Sequence, residues 1–423
     1  MAKEKKVKLS KRLIKKIKGY AKKFIKYVGY KWILPLAYHC YCHKPQDDRL
    51  VVFVDHRRLE MPDNFQNLFD MCTAEGYRCT VLTGAPFADQ IPKWERRKAK
   101  LLFHFQFMEL LAKSKVVFLD DWFPLVDIVK PRQGTQIVQL WHGCGIFKKW
   151  GYAVTSKGWG KSKKEQRLYP DYLYQTLSTV SSFSPKVIEG YREAFNCDID
   201  IIKPLGCPRT DIYFDESFKR HSIEKSHLLF PQAKGKKIIL YAPTFRGKSI
   251  KGANIKYDIN FQALKDRLAD NYVLITKFHP LMAKKGLTEA GRLQGYDFVF
   301  DATTLLSAEE AICAADILIT DYSSIMFEFM LMERPIISFI FDIDKYISDR
   351  GLFYPYDQLA PGPYVFNQNE LLEKLLTVDQ WFDVERVREY KKEFMSACDG
   401  HSTERIFHYV FCRHQENEGL VYL

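Results

Sequence analysis

Short β-branched runs alternate with helical patterns from residue 49 to residue 341, and this alternation constrains the fold more than any other feature of the sequence. Runs such as Arg49–Val54 (RLVVFV) and Lys237–Tyr241 (KIILY) are separated by stretches with the apolar spacing of helices. Alternation of strands and helices is typical of parallel α/β architecture. The sequence therefore predicts an α/β protein.

The predicted strands form two groups. Strands of the first group are predicted at 49–54, 78–83, 115–119, 136–141 and 199–203, with helices at 63–75, 92–112 and 184–195. Strands of the second group are predicted at 237–241, 272–277, 298–300, 316–320 and 335–341, with helices at 259–270, 304–314 and 323–332. The polar stretch 214–236 is predicted to link them. We therefore expect two Rossmann-like, doubly wound domains that face a cleft, at 46–225 and 226–423, the second ending in C-terminal helices.

The first 31 residues are strongly basic. They contain thirteen Lys or Arg residues and one acidic residue, Glu4, and so carry +12 of the formal net charge of +13. Apolar residues at 13, 17, 20, 24 and 28 predict a basic amphipathic helix. We expect segment 1–45 to associate with an anionic membrane surface. A solvated helix packed on its own domain and a nucleic-acid arm are the alternatives, although the near-neutral remainder argues against a nucleic-acid enzyme.

The ten cysteines include no Cys-x-x-Cys pair, which argues against a zinc ribbon or a disulfide framework and fits a reducing cytoplasm. His39, Cys40, Cys42 and His43 are possible metal ligands, but adjacent ligands rarely close a tetrahedral site without a second pair elsewhere, so we expect no metal. The longest apolar stretch, 32–42, is too short to span a membrane. We therefore expect a peripheral protein on the cytoplasmic face of the cell membrane.

Ligands of open α/β sheets bind beyond the carboxyl ends of the strands, and two of the predicted ends carry a histidine. The strand at 136–141 precedes His142, Gly143 and Lys148 in WHGCGIFKKWG, and the strand at 272–277 precedes His279 in KFHP. A lone histidine is more often a packed or surface residue than a catalyst. Because two of them follow strands of the proposed cleft, we predict that His142 and His279 are catalytic.

The sequence TDYSS places Asp321, Ser323 and Ser324 where a strand ends and a helix begins. Serine hydroxyls and free backbone N–H groups at the positive end of a helix dipole suit phosphate oxygens. The alternative is that a serine here only caps the helix. No Walker A motif and no G-x-G-x-x-G fingerprint is present, which argues against ATPases and dehydrogenases.

The strand ends together resemble a known family, the CDP-glycerol glycerophosphotransferases of bacterial wall teichoic acid synthesis, whose fold is like that of the GT-B glycosyltransferases. The resemblance covers most of residues 136–366. It rests on WHGCGIFKKWG at 141–151, LGCPRTD at 205–211, YAPTFRG at 241–247, KFHP at 277–280, TDYSSIMFEF at 320–329, RPIISFIFD at 334–342 and Gly362-Pro363.

The resemblance implies transfer of glycerol phosphate or ribitol phosphate from a CDP-alditol to a hydroxyl of a lipid-linked saccharide, with release of CMP and no cofactor. The N-terminal domain would hold the acceptor and the C-terminal domain the donor. His142 matches the family's essential histidine, a candidate general base. His279, Ser323 and Ser324 match positions that hold the donor diphosphate.

Further residues are implied as substrate-binding by the same motifs. Arg246 and Arg209 lie in motifs that line the cleft, Glu328 is a candidate nucleotide contact, and the set is completed by Asp321, Gly143 and Lys148. The sequence departs from the family at Thr210, Phe245, Gly247 and Glu328, where Asn, Trp, an acidic residue and Asp are usual. We expect these departures to shift donor choice or acceptor geometry without removing the chemistry.

The spacing of His142, Gly145, Lys148 and Gly151 favours the primase members of the family, which add the first unit. Two alternatives stay open at this point. One is a GT-B glycosyltransferase that uses a nucleotide sugar, and the other is a non-catalytic membrane-associated binding protein.

Overall fold

A computed structural model describes residues 17–21, 23–88, 90–154, 177, 179–246, 259–279, 282 and 297–412. The chain divides into two compact units that interleave along the sequence. The first unit comprises Met1–Pro62, Phe69–Gln139 and Arg167–Thr179, and the second comprises Asp63–Leu68, Leu140–Gln166 and Val180–Leu423. The predicted domain boundaries at 45/46 and 225/226 stay predictions.

The first unit is built on four parallel strands in the order β2-β1-β3-β4. They are β1 (Asp47–Asp55), β2 (Arg78–Thr83), β3 (Ser114–Leu119) and β4 (Gln136–Gln139), and the helices α1 (Leu34–Tyr41), α2 (Asp63–Ala74) and α3 (Lys93–Lys113) flank them along the chain. Residues 51–54 of β1 are fully buried, as expected for an inner parallel strand that is covered on both faces.

The predicted amphipathic helix lies only partly within the described residues. Residues 17–21 and 23–28 are helical and lead through a π-helical turn, Gly29–Ile33, into α1, whereas 1–16 and 22 lie outside the description. The helix as predicted therefore stays a prediction. Several large apolar side chains here are exposed by half or more: Ile17, Tyr20, Phe24, Ile25, Tyr27 and Trp32. In the described part of the chain, no helix is both long and apolar enough to cross a membrane.

The second unit contains a sheet of six parallel strands in the order β12-β11-β10-β7-β8-β9. The strands are β7 (Lys237–Ala242), β8 (Tyr272–Thr276), β9 (Val299–Asp301), β10 (Ile317–Thr320), β11 (Ile336–Phe339) and β12 (Tyr364–Val365). Two further strands, β5 (Thr179–Ser181) and β6 (Ile202–Lys203), pair in parallel. Chain order reverses between β10 and β7, so the carboxyl ends of these two strands flank the crevice where open α/β sheets bind ligands.

Some of the described helices of the second unit pack on this sheet, and others follow it toward the C-terminal end. They are α4 (Ile188–Phe195), α5 (Glu216–Leu229), α6 (Phe261–Leu268), α7 (Ala308–Ala314), α8 (Ile325–Met330), α9 (Ile343–Arg350), α10 (Gln368–Leu376), α11 (Val378–Trp381), α12 (Val384–Met395) and α13 (Ser402–Phe411). One face of the sheet packs Ile239, Leu274, Ile319 and Ile337 against Leu264 of α6 and Leu371 of α10 in a continuous apolar core.

Most predicted elements are confirmed within two residues, and three predictions are wrong. The stretch 214–236 is not a linker, because α5 fills most of it. Asp215 caps α5 by accepting hydrogen bonds from the backbone N–H groups of Ser217 and Phe218 at 2.8 and 3.3 Å. The buried Ser222 hydroxyl donates to the carbonyl of Phe218 at 2.7 Å, so a polar sequence could still form a packed helix.

The other two errors concern element boundaries. The strand predicted at 199–203 comprises only Ile202–Lys203, because residues 199–201 form a 3-10 turn. The strand predicted at 136–141 is confirmed within two residues and ends at Gln139, because Trp141 adopts a left-handed backbone (φ 59°) that cannot continue a strand. The helix predicted at 304–314 begins only at Ala308, where Ser307 and Glu310 form a reciprocal capping box.

Candidate functional site

The segment 140–151, which we call the His142 loop, follows β4 and belongs to the second unit. The Trp141 indole stacks on Trp150 with ring centroids 4.2 Å apart, and the His142 ring lies 4.8 Å from it on a tilted plane. Phe195 of α4 contacts both indoles edge-on. The His142 side chain is half-buried, and packed aromatic rings support the loop that carries it.

Two glycines of the His142 loop are required by close packing. Gly145 and Gly151 have φ values of +61° and +57°, a backbone region that disfavours side chains. A Cβ on Gly145 would lie 2.4 Å from the ring of Phe327 in α8, and one on Gly151 would lie 2.2 Å from the carbonyl oxygen of Ala194. The loop is therefore packed directly on α8 and α4.

Arg209 reaches the same loop from the short helical segment Pro208–Phe214. Its Nη2 donates to the carbonyl oxygen of His142 at 2.8 Å and forms a 2.6 Å ion pair with Glu328. Its Nη1 lies 3.3 Å from a carboxylate oxygen of Glu309. The predicted substrate-binding residues Arg209 and Glu328 are thus brought together with His142, but their charged groups are directed at each other.

Glu328 is buried on α8, and the Tyr213 hydroxyl donates to its second oxygen at 2.8 Å. Burial raises the pKa of the Glu328 carboxyl, while the Arg209 guanidinium acts in the opposite direction. Burial alone would lower the pKa of Arg209, but the Glu328 carboxylate holds it well above its ordinary value. Such a pair stabilises only if both members stay together, because either charge alone would be buried without compensation.

A second arginine cluster forms at the carboxyl ends of β7, β10 and β11. Arg246 pairs through Nη1 with Asp321 at 2.8 Å and bidentately with Asp342 at 2.8 and 2.9 Å. The other Asp321 oxygen accepts the backbone N–H groups of Thr244 and Tyr322 at 2.8 and 2.6 Å. These contacts fix the crevice between β10 and β7, and they occupy both Arg246 and Asp321 with protein partners.

Aromatic rings connect this cluster to the His142 loop within the second unit. Tyr322 and Tyr346 stack with centroids 3.7 Å apart, and the Arg246 guanidinium lies 5.1 and 5.6 Å from their centroids. The Lys148 ammonium lies 5.9 Å from the centroid of Tyr346. Lys148 also pairs with Leu352 in an isolated antiparallel bridge, which ties the loop backbone to the segment after α9.

Ser323 and Ser324 lie half-buried between β10 and α8, as the sequence predicts. Ser324 makes no side-chain capping bond to α8, and the Ser323 hydroxyl only accepts a long 3.4 Å contact from the backbone N–H of Ile325. Capping therefore does not explain these two serines. The helix they precede has only six residues, so its dipole is smaller than the sequence suggests.

His279 follows β8 with an exposed side chain, and its ring meets the Phe245 ring edge-on at 5.3 Å. Phe245 immediately precedes Arg246, so the described residues of the two motifs, 277–279 and 241–246, lie side by side, as expected for neighbouring parallel strands. Lys277, two residues before His279, donates to the carbonyl oxygen of Thr303 at 2.7 Å and also to that of Leu306. Lys277 thereby supports the neighbouring backbone. Burial lowers the pKa of its ammonium group.

Sequence reasoning missed three residues of this arrangement. Asp342 ends the RPIISFIFD motif and could have been found as another strand-end residue. Tyr213 carries no recognisable signal. Asn64, which is 1% exposed, donates from Nδ2 to the carbonyl oxygen of Trp141 at 2.8 Å, although nearly 80 residues separate them in sequence.

The first unit has its own polar cluster between β1 and β3, where the chain order of the strands across the sheet reverses. Asp55 accepts the backbone N–H of Arg57 at 2.8 Å, and the Arg57 guanidinium pairs with Asp121 at 2.7 Å. Burial lowers the pKa of His56, which lies between them in sequence. Among the described residues of the whole chain, which include His39 to His43, no group of three or more His, Cys, Asp or Glu could hold a metal ion.

Comparison with known proteins extends over nearly the whole chain. Residues 36–412 match the family model of CDP-glycerol:poly(glycerophosphate) glycerophosphotransferases. The chain is 31% identical over 367 residues to the teichoic acid ribitol-phosphate primase of Bacillus spizizenii, covering 86% of this chain and 91% of that protein. It is 32% identical over 298 residues to the teichoic acid glycerol-phosphate transferase of Staphylococcus aureus, covering 66% and 71%.

The fold also matches a solved structure. The wall teichoic acid polymerase TagF aligns with a TM-score of 0.70 at 19% identity, over 94% of this chain and 98% of that one. At this identity the likeness shows the fold alone, and it agrees with the predicted GT-B-like arrangement of parallel α/β sheets.

Proposed function

This chain belongs to the CDP-glycerol:poly(glycerophosphate) glycerophosphotransferase family, and we propose that it transfers glycerol phosphate or ribitol phosphate from a CDP-alditol to a hydroxyl of a membrane lipid-linked saccharide. The observation that carries the proposal is the position of His142 and the way its loop is held. His142 follows a parallel strand, its side chain is half-buried, and the loop that bears it is held by stacked indoles and by Arg209. The chain is 31% identical to a ribitol-phosphate primase over 86% of its length and 32% identical to a glycerol-phosphate transferase over 66%, so both alditols are candidate donors.

The reaction is a displacement at the phosphorus that carries the alditol. The acceptor oxygen forms a bond to that phosphorus, the bond to the bridging oxygen breaks, and this oxygen leaves with CMP. His142 takes the proton of the attacking hydroxyl, since a neutral imidazole can act as a general base. Phosphoryl transfer otherwise depends on positioning and on stabilising charge at the phosphate oxygens.

We assign the donor diphosphate to the strand ends of the second unit. Ser323 and Ser324 supply hydroxyls that capping does not explain, and His279 is exposed beside Phe245. Arg246 and Asp321 build this region rather than bind phosphate, because two carboxylates already share the guanidinium. Glu328 likewise acts through Arg209 and not as a nucleotide contact, since both of its oxygens accept hydrogen bonds from protein groups.

The acceptor would bind to the first unit, whose exposed apolar and basic N-terminal residues suit an anionic membrane. Deleting residues 1–31 removes the basic segment but keeps α1, which buries Leu34 and Tyr38. The truncated protein should keep donor binding and lose sedimentation with anionic liposomes. The intact protein should bind less as salt rises. Unchanged liposome binding after truncation would contradict membrane association through this segment.

The decisive experiment for the activity is mass spectrometry of a lipid-linked disaccharide after incubation with CDP-glycerol, CDP-ribitol or nucleotide sugars. A mass increase of one alditol phosphate with release of CMP supports the proposal and a primase role, whereas a ladder of increases indicates a polymerase. Transfer from a nucleotide sugar alone would establish the glycosyltransferase alternative. Absence of transfer together with absence of nucleotide binding would favour a binding protein.

A further inference from the structure

Trp141, the residue before His142, has an unfavourable backbone conformation. Its φ of 59° lies in the left-handed region, which costs an L-residue with a bulky side chain roughly 1–3 kcal/mol. Such a conformation persists only where surrounding contacts enforce it. It also turns the chain sharply at the end of β4 and so sets the direction in which His142 leaves the strand.

The Trp141 side chain and backbone are held by different groups. The indole is fixed by its stack on Trp150 at 4.2 Å and by the edge of Phe195 at 5.4 Å. The carbonyl oxygen accepts the 2.8 Å hydrogen bond from Nδ2 of Asn64. Asn64 is the second residue of α2, where Pro62 occupies the N-cap position, so its amide is not used to cap the helix.

The other end of the Asn64 amide is also occupied. Its Oδ1 accepts the backbone N–H of Arg209 at 3.2 Å and the Cys207 thiol at 3.3 Å. The Arg209 side chain then donates to the carbonyl oxygen of His142. The two peptide groups that flank the His142 Cα are therefore held by a single closed network, one by Asn64 directly and the other by Arg209, whose backbone Asn64 binds.

We propose that Asn64 is a positioning residue for the reaction, which holds the Trp141 peptide in its left-handed conformation and thereby aims the His142 imidazole at the acceptor hydroxyl. The inference rests on the proposed role of His142 as the base. It also explains why a fully buried asparagine, rather than an apolar residue, lies in the first turn of α2. All the residues of the network belong to the second unit.

Asn64→Asp tests the inference most directly. The aspartate keeps an acceptor for Arg209 and Cys207 but cannot donate to the Trp141 carbonyl. Displacement of a catalytic group by about 1 Å costs on the order of 10²-fold in rate, so kcat should fall by that order while KM for the CDP-alditol stays within about threefold. Near-ultraviolet circular dichroism should change as well, because the stacked Trp141–Trp150 pair depends on the same peptide.

Asn367→Asp is the matched control. Asn367 also donates through Nδ2, to Glu370 at 2.5 Å, and accepts two backbone N–H groups at the start of α10, far along the chain from the network. The control should retain kcat, KM and the dichroism signal. If Asn64→Asp does not fold, Asn64→Ala removes the same donor without burying a charge and is read by the same measurements.

His142→Ala separates the two hypotheses. If it loses turnover while the Asn64 variant retains wild-type kcat, the positioning role is overturned and the proposed function stands. An unchanged dichroism spectrum in the Asn64 variant, or an equal loss in the Asn367 control, would also overturn the positioning role. If His142→Ala keeps full turnover, the base assignment fails. A spectral change in the Asn64 variant would then support only the statement that Asn64 holds the Trp141 peptide.

Discussion

The His142 loop and the strand ends around Arg246 are built on the same principle but hold their functional groups differently. Each contains a half-buried arginine shared by two carboxylates, Glu328 and Glu309 in one and Asp321 and Asp342 in the other. Arg209 donates directly to the backbone of His142, whereas Arg246 donates to the carbonyl oxygen of Thr244 and supports the crevice. Under the proposed function, the first region would fix one side chain for proton transfer, and the second would shape a surface for donor binding.

The largest expected effect distinguishes the two histidines. His142→Ala should retain binding of the CDP-alditol and lose about 10²–10⁴-fold in kcat, because a general base acts only in the transition state. His279→Ala should lose donor affinity and also turnover, since a contact to the diphosphate also stabilises the departing CMP. Calorimetry with CDP-alditol and steady-state rates measure the contrast. Equal donor affinity in both variants would remove the distinction between the two regions.

Breaking the first region should cost stability. Arg209→Met leaves Glu328 buried without its cation, and loss of one member of a buried pair costs about 3–5 kcal/mol. Arg388→Met is the control, because this arginine is half-exposed in its pair with Glu333, and such surface pairs contribute about 0–1 kcal/mol. Thermal denaturation of both variants tests the difference. Similar melting temperatures would mean that the Arg209 pair is not the support of the loop.

The two serines of the second region should affect binding more than stability. Ser323→Ala/Ser324→Ala removes hydroxyls that make no good cap, so we expect donor affinity to fall with little change in melting temperature. The control is Ser307→Ala, which removes the capping box of α7 and should cost roughly 0.5–2 kcal/mol without affecting the donor. A double variant that binds CDP-alditol normally would remove the serines from the donor site.

The smallest effect concerns pH. Because burial raises the pKa of Glu328 in the folded chain, its contribution to stability is fully present below its unfolded pKa of about 4.3 and is lost as pH rises through the folded pKa. Glu328→Gln should therefore flatten the pH dependence of unfolding above pH 4.3, by at most about 1.4 kcal/mol per pH unit. Melting temperatures measured from acidic to neutral pH test this sign. A steeper dependence in the variant would show that Arg209 dominates and lowers the pKa instead.

Much of the site could be predicted from sequence because it follows strands. Apolar runs located β4, β7, β8 and β10, and the residues next in sequence were therefore placed correctly at strand ends. The polar helix α5 was missed, because its buried serines satisfy their hydroxyls within the helix and leave little apolar periodicity. The strands β5 and β12 were missed because they contain only three and two residues.

Which residues reach the strand ends follows from local sequence alone, since a run of β-branched residues and the polar residue after it are local features. Which groups those residues contact depends on the complete fold. Arg209 and Glu328 are 119 positions apart, and Asn64 and Trp141 are 77 apart, so no local pattern reveals that each pair is in contact. A buried charge must find an opposite charge, and a buried amide must use both its donor and its acceptor. In this structure, Arg209, Arg246 and Glu328 accordingly bind protein groups beside His142 and the crevice between β10 and β7.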